Sequence, residues 1–431
     1  MTNVDLAIVG AGSAGAALAL HAARAGMRVV VLERRALDDA GARWVNGVAR
    51  WMFDEAGIAA PQGDERVGDE RAFHLVAGRD AAARVVVRDH DVEGVDMRRL
   101  VARLHADALG AGAELRGDVN VQGLENGVLR TGAGDVRARY YVDASGLAGP
   151  RLLRQPRVPA VDICAAAQEM RRVRDLPAAR AWFERHEVAP GDALCFTAVA
   201  GGYSILNVRL DGDELSILTG SIPALGYPSG ARILADFAAE QPWVGATIFG
   251  GARTLPLRRP YDALAGGCVA LLGDAACQVF SAHGSGVGIG LIAARMLADA
   301  LASGAGPDRY AVRFHRRWGG LLAGYDVFRR FSQTLTARDV AHLIRAGLLD
   351  EEGARAGLSQ RLPPLTRSLV MGRLVGAARA PAAAVRFAGV LARMAAVQGL
   401  FAGYPGWVPG RGTWERAVER ATGESAALGA A

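Results

Sequence analysis

The stretch that decides the fold is Gly10-Ala11-Gly12-Ser13-Ala14-Gly15, close to the start of the chain. Residues 5–9 form a short apolar run, which predicts a buried strand, and residues 16–25 are rich in alanine, which predicts a helix. Gly26 predicts the end of that helix, and residues 27–32 predict a second strand that leads to Glu33. A glycine-rich turn between strand and helix, with an acid after the next strand, is typical of a Rossmann-type dinucleotide-binding unit.

Each position of this turn has a physical reason to be what it is. Gly10 permits the tight turn, Gly12 lets a pyrophosphate approach the backbone, and Gly15 lets the helix pack closely on the strand. The start of the helix presents free N–H groups to phosphates. Glu33 is placed to accept hydrogen bonds from a ribose hydroxyl, and its charge disfavours the 2′-phosphate of NADP, which leaves NAD and FAD. The predicted cofactor contacts here are Gly10, Gly12, Ser13, Ala14, Gly15, Glu33 and Arg34.

The composition is that of a globular protein with a substantial interior. Of 431 residues, 51% are hydrophobic and 22% are charged, and the length predicts two or three substructures. The net charge is +6, every basic residue is an arginine, and no basic run is interleaved with aromatic residues, so nucleic-acid binding is not predicted. The four cysteines lack metal-site spacing, so no metal site is predicted, and they fit a reduced, cytoplasmic chain.

No secretory leader and no membrane span are predicted. Asp5 falls early and a strand-like run follows it at once. The most apolar late stretch, residues 380–400, is interrupted by Arg386 and Arg393, which makes it a poor membrane span.

A second unit lies late in the chain and helps to choose between NAD and FAD. Residues 269–272 predict a strand, Gly273-Asp274 follows, and the glycine-rich run 284–290 leads into a predicted helix at 291–301. This order resembles FAD flavoproteins of the para-hydroxybenzoate hydroxylase type, and within them the geranylgeranyl reductase family, over roughly residues 4–305. The resemblance implies that Asp274 bonds the ribityl chain of FAD and that the glycine-rich helix start approaches the flavin. The contacts implied here are Gly273, Asp274, Gly286, Val287 and Gly288.

Three further segments of the chain are similar to segments of those flavoproteins. Arg99, or its neighbour Arg98, matches an FAD-contacting arginine, and the segment from Asp143 to Gly146 resembles an Asp-x-x-Gly segment. A plain turn carboxylate is the alternative for Asp143. The loop 41–48, which contains Arg43, lies where the reductases line the flavin face. Many members carry a cysteine in this loop, and here Asn46 or Trp44 is expected to fill that space.

The predicted fold is α/β, with a Rossmann-type FAD-binding domain built on a parallel sheet, an antiparallel-sheet substrate domain and a helical C-terminal region. Strands of the substrate domain are predicted at residues 193–199, 203–210 and 214–220, because these runs alternate and are bounded by turn residues. The expected divisions are 1–160 for the first part of the FAD domain (with a substrate-side insertion at about 45–90), 161–254 for the substrate domain, 255–306 for the second part and 307–431 for the helices.

Two residues are candidates for catalysis. His283 directly precedes the Gly-Ser-Gly run, where substrate and flavin would meet, and it is a candidate general acid; a loop histidine bonded to backbone is the alternative. Tyr203 lies on the predicted substrate sheet and is similar to the tyrosine of an aromatic motif in the reductases; ordinary sheet packing is the alternative. Cys277 is expected to be a buried, inert thiol.

The resemblance implies an FAD-dependent oxidoreductase that acts on an apolar or aromatic small molecule, an isoprenoid among the candidates, by hydride transfer at flavin N5. The alternatives are a flavin monooxygenase that captures oxygen at C4a as a peroxide, and a non-redox cyclase or isomerase. A halogenase is disfavoured, because the chain has no lysine and no Trp-x-Trp. No second dinucleotide motif is present, so NAD(P)H or an electron-donor protein is expected to bind transiently.

The C-terminal helices carry a regular pattern of arginines. Arg379, Arg386 and Arg393 recur every seven residues, which predicts a stripe on one helix face opposite a broad apolar surface. That surface packs on the FAD domain, or it borders the substrate cavity or rests on a membrane surface.

Overall fold

The computed structural model describes residues 1–68, 71–364, 366–406 and 411–424. Its strands, in chain order, are β1 (Thr2–Val9), β2 (Val29–Leu32), β3 (Val45–Ala49), β4 (Phe73–Ala77), β5 (Asp80–Val87), β6 (Val92–Asp96), β7 (Glu114–Arg116), β8 (Val121–Glu125), β9 (Val128–Thr131), β10 (Val136–Asp143), β11 (Ile163–Val173), β12 (Ala193–Thr197), β13 (Ser204–Asp211), β14 (Glu214–Ser221), β15 (Val244–Pro256), β16 (Ala265–Gly266) and β17 (Val269–Leu271).

The helices separate and follow these strands. They are α1 (Ser13–Arg24), α2 (Arg50–Ala56), α3 (Met97–Gly110), α4 (Leu176–Arg185), α5 (Gly230–Glu240), α6 (Val287–Ala302), α7 (Gly306–Phe314), α8 (Gly320–Ser332), α9 (Ala337–Ala346), α10 (Glu351–Leu358), α11 (Arg367–Arg379), α12 (Pro381–Ala402) and α13 (Arg411–Thr422).

The first sheet is the predicted Rossmann-type sheet. Its strand order is β16-β17-β10-β1-β2-β7, and β1, β2, β7, β10 and β17 run parallel. Helices α1, α3 and α6 cover one face, because their alanine and leucine side chains are buried in one core with Leu6 and Ile8 of β1. The hairpin of β8 and β9 covers part of the other face. Because these strands run parallel, the carboxyl ends of β1, β2, β10 and β17 lie at one edge, where ligands bind in such sheets.

The second sheet is the predicted antiparallel sheet, with one parallel pair. Its order is β15-β11-β14-β13-β12-β4-β5, and β12 pairs with β4 in parallel. One face is covered by α4 and α5 through an aromatic core that includes Trp182, Phe183 and Trp243. Strands β4 and β5 come from the predicted insertion, so the insertion contributes the far edge of this sheet. A two-stranded sheet of β3 and β6 carries the chain between the two larger sheets.

The C-terminal helices form a layer beside both sheets. Val390, Met394 and Val397 of α12 pack with Ala323 and Val327 of α8 in one buried cluster. By length and composition α12, with 22 residues, could cross a membrane, although the sequence predicted a poor span. Its buried face nevertheless makes it part of the folded body.

The predicted arginine stripe is wrong in two respects. The helix breaks at Ala380, so Arg379 ends α11 while Arg386 and Arg393 lie on α12. The guanidinium of Arg386 lies 5.7 Å over the ring of Phe331, so it borders the buried face of α12 instead of standing opposite it.

Candidate functional site

A cavity of about 840 Å³ lies where the carboxyl edge of the parallel sheet, the antiparallel sheet and the C-terminal helices meet. At one end, which we call the dinucleotide end, its wall contains the glycine-rich turn after β1, Glu33, and Asp274 with the turn after β17. At the other, which we call the apolar chamber, its lining includes Phe328, Phe331, Leu335, Val340, Leu343, Phe387, Leu391 and Met394. Between them runs the face of the antiparallel sheet not covered by α4 and α5.

The glycine-rich turn shows which glycines the fold itself requires. Gly10 has φ of +103°, and a Cβ there would lie 2.5 Å from the carbonyl oxygen of Ala144. A Cβ at Gly15 would lie 2.0 Å from the carbonyl oxygen of Gly10. At Gly12 the nearest atom to such a Cβ is the Cα of Gly41, 3.7 Å away. Packing therefore explains Gly10 and Gly15, whereas Gly12 faces the cavity with room for a ligand, as a pyrophosphate needs.

Glu33 is buried at the end of β2 and holds the turn in place. Its Oε2 accepts a hydrogen bond from the Ala11 N–H at 2.9 Å, and its Oε1 accepts one from the Arg35 N–H at 3.2 Å. The same carboxylate lines the cavity, beside Arg34, where the adenosine ribose of a dinucleotide would lie. The sequence predicted the ribose position for Glu33 but not its bond to Ala11.

Asp274 lies in the short helical turn Gly273–Ala276 after β17 and faces the cavity. Burial raises the pKa of its carboxyl group, and the nearby positive charge of Arg253 partly offsets that shift. Gly286 and Val287, at the start of α6, line the same wall. Together they bring the N-terminal end of a 16-residue helix and a carboxylate to one side of the cavity.

The cavity lining includes some of the predicted cofactor contacts and not others. The predicted contacts that line it are Gly10, Gly12, Ser13, Ala14, Glu33, Arg34, Gly146, Gly273, Asp274, Gly286 and Val287. Gly15 does not line it, because this glycine packs against the carbonyl oxygen of Gly10. Gly288 lies off the wall; a Cβ there would meet Met52 Sδ at 2.4 Å, so this glycine serves the contact of α6 with α2.

Asp143, Arg43 and Arg99 also lie away from the lining. Asp143 is buried, and its carboxylate accepts N–H bonds from Ser145 at 3.1 Å and Leu152 at 3.0 Å, as a turn carboxylate does. Arg43 pairs with Asp39 at 2.7 Å, and Arg99 is exposed on α3.

Arg253 is a cavity residue that sequence reasoning missed. It lies on β15, opposite Ala166 in the register, and lines the cavity across from the dinucleotide end. The charges that act on its guanidinium include Asp274, Arg34 and Arg35, while burial lowers its pKa. A strand residue of the antiparallel sheet carries no local motif, so only the fold reveals that it faces a site built by the other sheet.

His283 has the environment of the backbone-bonded alternative. Its Nε2 lies 3.2 Å from the carbonyl oxygen of Gly357, and a neutral ring donates there. Burial lowers the pKa of His283 to about 4, so the ring is neutral at pH 7. The imidazole lines the cavity, but in this state it is not a charged general acid.

Tyr203 has its hydroxyl at the cavity. A Cβ at Gly284 would lie 3.6 Å from the Tyr203 hydroxyl oxygen, which places that oxygen beside the glycine-rich loop. Burial raises the pKa of Tyr203 well above its ordinary value, so the phenol stays protonated. Among the residues that the structure describes, its hydroxyl has no hydrogen-bond partner. A protonated, unpaired donor thus faces the space between the loop and the sheet.

The remaining expectations concern the early loop, the thiols and metals. Trp44 and Asn46 both line the cavity, as expected for the loop that lacks a cysteine. Cys277 is fully buried, and burial raises the pKa of its thiol to about 12, which makes it inert. Within the described ranges, no cluster of three His, Cys, Asp or Glu side chains could hold a metal ion.

Comparisons with known proteins agree with this geometry. Residues 5–66 match the family model for FAD-dependent oxidoreductases. A digeranylgeranylglycerophospholipid reductase of Methanopyrus kandleri is 28% identical over 73% of this chain and 81% of its own length. The corresponding reductase of Sulfolobus acidocaldarius is 21% identical over 96% of both chains.

Solved structures show the same fold. A geranylgeranyl bacteriochlorophyll reductase-like protein of Thermoplasma acidophilum superimposes with a TM-score of 0.70 at 17% identity, over 90% of this chain and 100% of that one. The flavin-dependent brominase Bmp2 superimposes with a TM-score of 0.61 at 16% identity, over 86% and 98%. The open space at Gly12 and the carboxylates of Glu33 and Asp274 fit FAD, which is the cofactor. The chain is an FAD-dependent oxidoreductase related to the geranylgeranyl reductases.

Proposed function

We propose that this oxidoreductase reduces carbon–carbon double bonds of an apolar, isoprenoid-like substrate. The observation that carries the proposal is the continuity of the cavity, which joins the dinucleotide end to a chamber lined by phenylalanine, leucine and methionine side chains. A polyprenyl chain is apolar and flexible, and it would gain the free energy of burial in such a chamber. The names of the curated relatives support the same substrate class.

The residues at the dinucleotide end would hold FAD. The backbone of Gly12, Ser13 and Ala14 would donate to the pyrophosphate, Glu33 would accept from the adenosine ribose, and Asp274 would accept from the ribityl chain. The N-terminal end of α6, at Val287, would face the flavin ring and favour negative charge on it. Bound FAD supplies a two-electron carrier that can deliver a hydride from N5.

Tyr203 is a well-placed source of the proton that must accompany a hydride. Tyr203 presents a protonated hydroxyl to the cavity, whereas the neutral ring of His283 is bonded to Gly357. We therefore assign proton donation to the Tyr203 hydroxyl and loop support to His283. The apolar chamber would exclude water from the reacting carbons, which favours reduction of the bound chain over side reactions.

Partners and location follow from the same proposal. NAD(P)H or an electron-donor protein would bind transiently to supply electrons. The protein would act in the cytoplasm. Its C-terminal helices would touch the surface of a membrane, because an apolar substrate resides in the membrane.

An anaerobic single-turnover experiment tests the proposal. The FAD-loaded protein is reduced with dithionite and mixed with geranylgeranyl lipids, and flavin absorbance and product mass are followed. Reoxidation of the flavin with a mass gain of two per double bond is the expected result. Tyr203→Phe should slow this step without changing FAD affinity, whereas His283→Gln should slow it less. A product that forms only with oxygen and gains sixteen mass units would show a monooxygenase instead.

A further inference from the structure

The outer surface formed by α11 and α12 is apolar and exposed. On α11, Val370, Met371, Leu374 and Val375 are exposed, with 58% and 59% of Met371 and Leu374 accessible. Val385 of α12 is 74% accessible. Apart from Arg386 and Arg393, the exposed residues of α12 carry no polar side chain: Pro381, Ala382, Val385, Ala388, Gly389, Ala392, Ala395, which also lines the cavity, Ala396, Gly399 and Ala402. Helices α11 and α12 contact each other, and exposed apolar residues grouped on neighbouring helices in this way indicate an interaction site.

The charge of this region has one sign. Between Thr366 and Ala402 the chain contains five arginines and no aspartate or glutamate. Arg367, Arg379, Arg386 and Arg393 are exposed, so the apolar surface is bordered by positive charge. A partner with an apolar interior and an anionic rim would complement it. A second copy of the same face would instead bring arginines against arginines, which disfavours a symmetric dimer.

Helix α12 can lie on a membrane but is not free to cross one in this fold. Its opposite face, which contains Phe387, Val390, Met394 and Val397, is buried inside the protein. A spanning arrangement would require that core to open. A helix with one face in the protein and an apolar outer face suits the plane of the membrane interface.

The same helices form a wall of the cavity. Phe387, Leu391 and Met394 of α12 line the apolar chamber, as does Arg373 of α11. Leu362, just before α11, lines the cavity and is also exposed at the surface. Leu362 therefore links the cavity wall to the segment that leads into α11.

We propose that the outer surface of α11 and α12 docks on an anionic lipid bilayer and passes an apolar chain between the bilayer and the chamber. The passage of substrate rests on the proposed reaction, whereas the docking deepens the proposed membrane contact and needs no reaction. Exposed arginines would meet lipid phosphates, and Met371, Leu374 and Val385 would insert among the acyl chains.

Liposome flotation tests the docking without any turnover. FAD-loaded protein is mixed with phosphatidylcholine vesicles, with or without 30% phosphatidylglycerol, at low and high salt. The protein should float with anionic vesicles at low salt and bind more weakly at high salt, because salt screens the arginine contacts. Each exposed arginine replaced should lower the apparent affinity about fivefold. Met371→Glu with Leu374→Glu should lower it at least tenfold.

Matched variants elsewhere on the surface serve as controls. Leu109, 52% accessible on α3, is exposed and apolar but lies outside this face, so Leu109→Glu should leave flotation unchanged. The double variant Arg367→Glu with Arg379→Glu removes two exposed arginines of the docking surface. Its control is Arg180→Glu with Arg185→Glu, which removes two exposed arginines of α4. A flavin spectrum for every variant checks folding.

Three results would overturn the docking. The wild type could stay unbound with every vesicle, the α11 variants could float as well as the wild type, or light scattering could show a dimer that the α11 variants dissociate. Single turnover with detergent-dispersed substrate reports the proposed function separately, because it needs no bilayer.

Discussion

Replacement of Gly12 by alanine should separate cofactor binding from folding. Gly12 has φ of −67° and ψ of −179°, which alanine adopts without strain, and a new Cβ would meet nothing closer than 3.7 Å. The apoprotein should therefore be as stable as the wild type, or more stable by about 0.4–1 kcal/mol, because alanine restricts the unfolded chain. The methyl group would instead occupy the space where the pyrophosphate approaches the backbone.

The expected loss of FAD affinity follows from hydrogen-bond lengths. A phosphate oxygen lies about 2.7–2.9 Å from a donor nitrogen, whereas a methyl carbon needs about 3.5 Å or more from its neighbours. The phosphate must move and lose at least one charged hydrogen bond, worth about 1.5–3 kcal/mol. The Kd for FAD should rise by roughly 10- to 150-fold.

Gly15→Ala is the contrasting variant. Its Cβ would lie 2.0 Å from the Gly10 carbonyl oxygen, so the strand and helix must separate, which costs about 1–3 kcal/mol or more of folding stability. Gly132→Ala is the control for a glycine-to-alanine change without crowding, because a Cβ at Gly132 would meet nothing within 4 Å. Urea unfolding of the apoproteins and quenching of flavin fluorescence measure the two quantities. A Gly12→Ala protein that binds FAD within about twofold of the wild type, or an apoprotein that unfolds more easily, would contradict this prediction.

Three more predictions concern carboxylates and a histidine. Asp274→Ala should raise the Kd for FAD at least tenfold, about 1.4 kcal/mol, with apoprotein stability unchanged; an unchanged Kd in the same fluorescence titration would make Asp274 a turn residue only. His283 has a folded-state pKa of about 4, below its ordinary value of 6.5, so the unfolded chain binds the extra proton first as pH falls. The buried, neutral His283 therefore contributes at most about 3 kcal/mol to the free energy of unfolding. This contribution is complete above pH 6.5 and is lost as the pH falls from 6.5 to 4. His283→Gln should flatten urea stability across that window, and parallel pH profiles of the two proteins would refute it. The buried carboxylate of Asp326 pairs with Arg329 at 2.6 Å and with Arg330 at 3.3 Å. Asp326→Ala should therefore lower the free energy of unfolding, measured by calorimetry, by about 3–5 kcal/mol. A loss under about 1 kcal/mol would show that these ion pairs are dispensable.

Local motifs made the Rossmann-type unit predictable. The strand, the turn from Gly10 to Gly15, the helix and Glu33 are consecutive in the chain, so their order alone indicated the geometry. The late turn with Asp274 was found in the same way. These features need only local backbone rules and the resemblance to a known family.

Features that depend on distant packing could not be read from the sequence. Arg253 faces the dinucleotide end only because β15 lies at the edge of the antiparallel sheet next to the other sheet's turn. The arginine stripe assumed one unbroken helix, whereas Ala380, with φ of −142° and ψ of 67°, interrupts it. The low pKa of His283 depends on burial beside α10, more than seventy residues away in sequence.

The most direct test of the central claim is a crystal structure of the FAD-loaded protein soaked with a twenty-carbon polyprenyl lipid. The flavin ring should lie against the start of α6 at Val287, with the pyrophosphate over Gly12. The polyprenyl chain should run from the flavin into the chamber between Phe331 and Leu391, with a double bond beside Tyr203. A chain bound outside this cavity, or a flavin whose ring lies away from α6, would contradict the account.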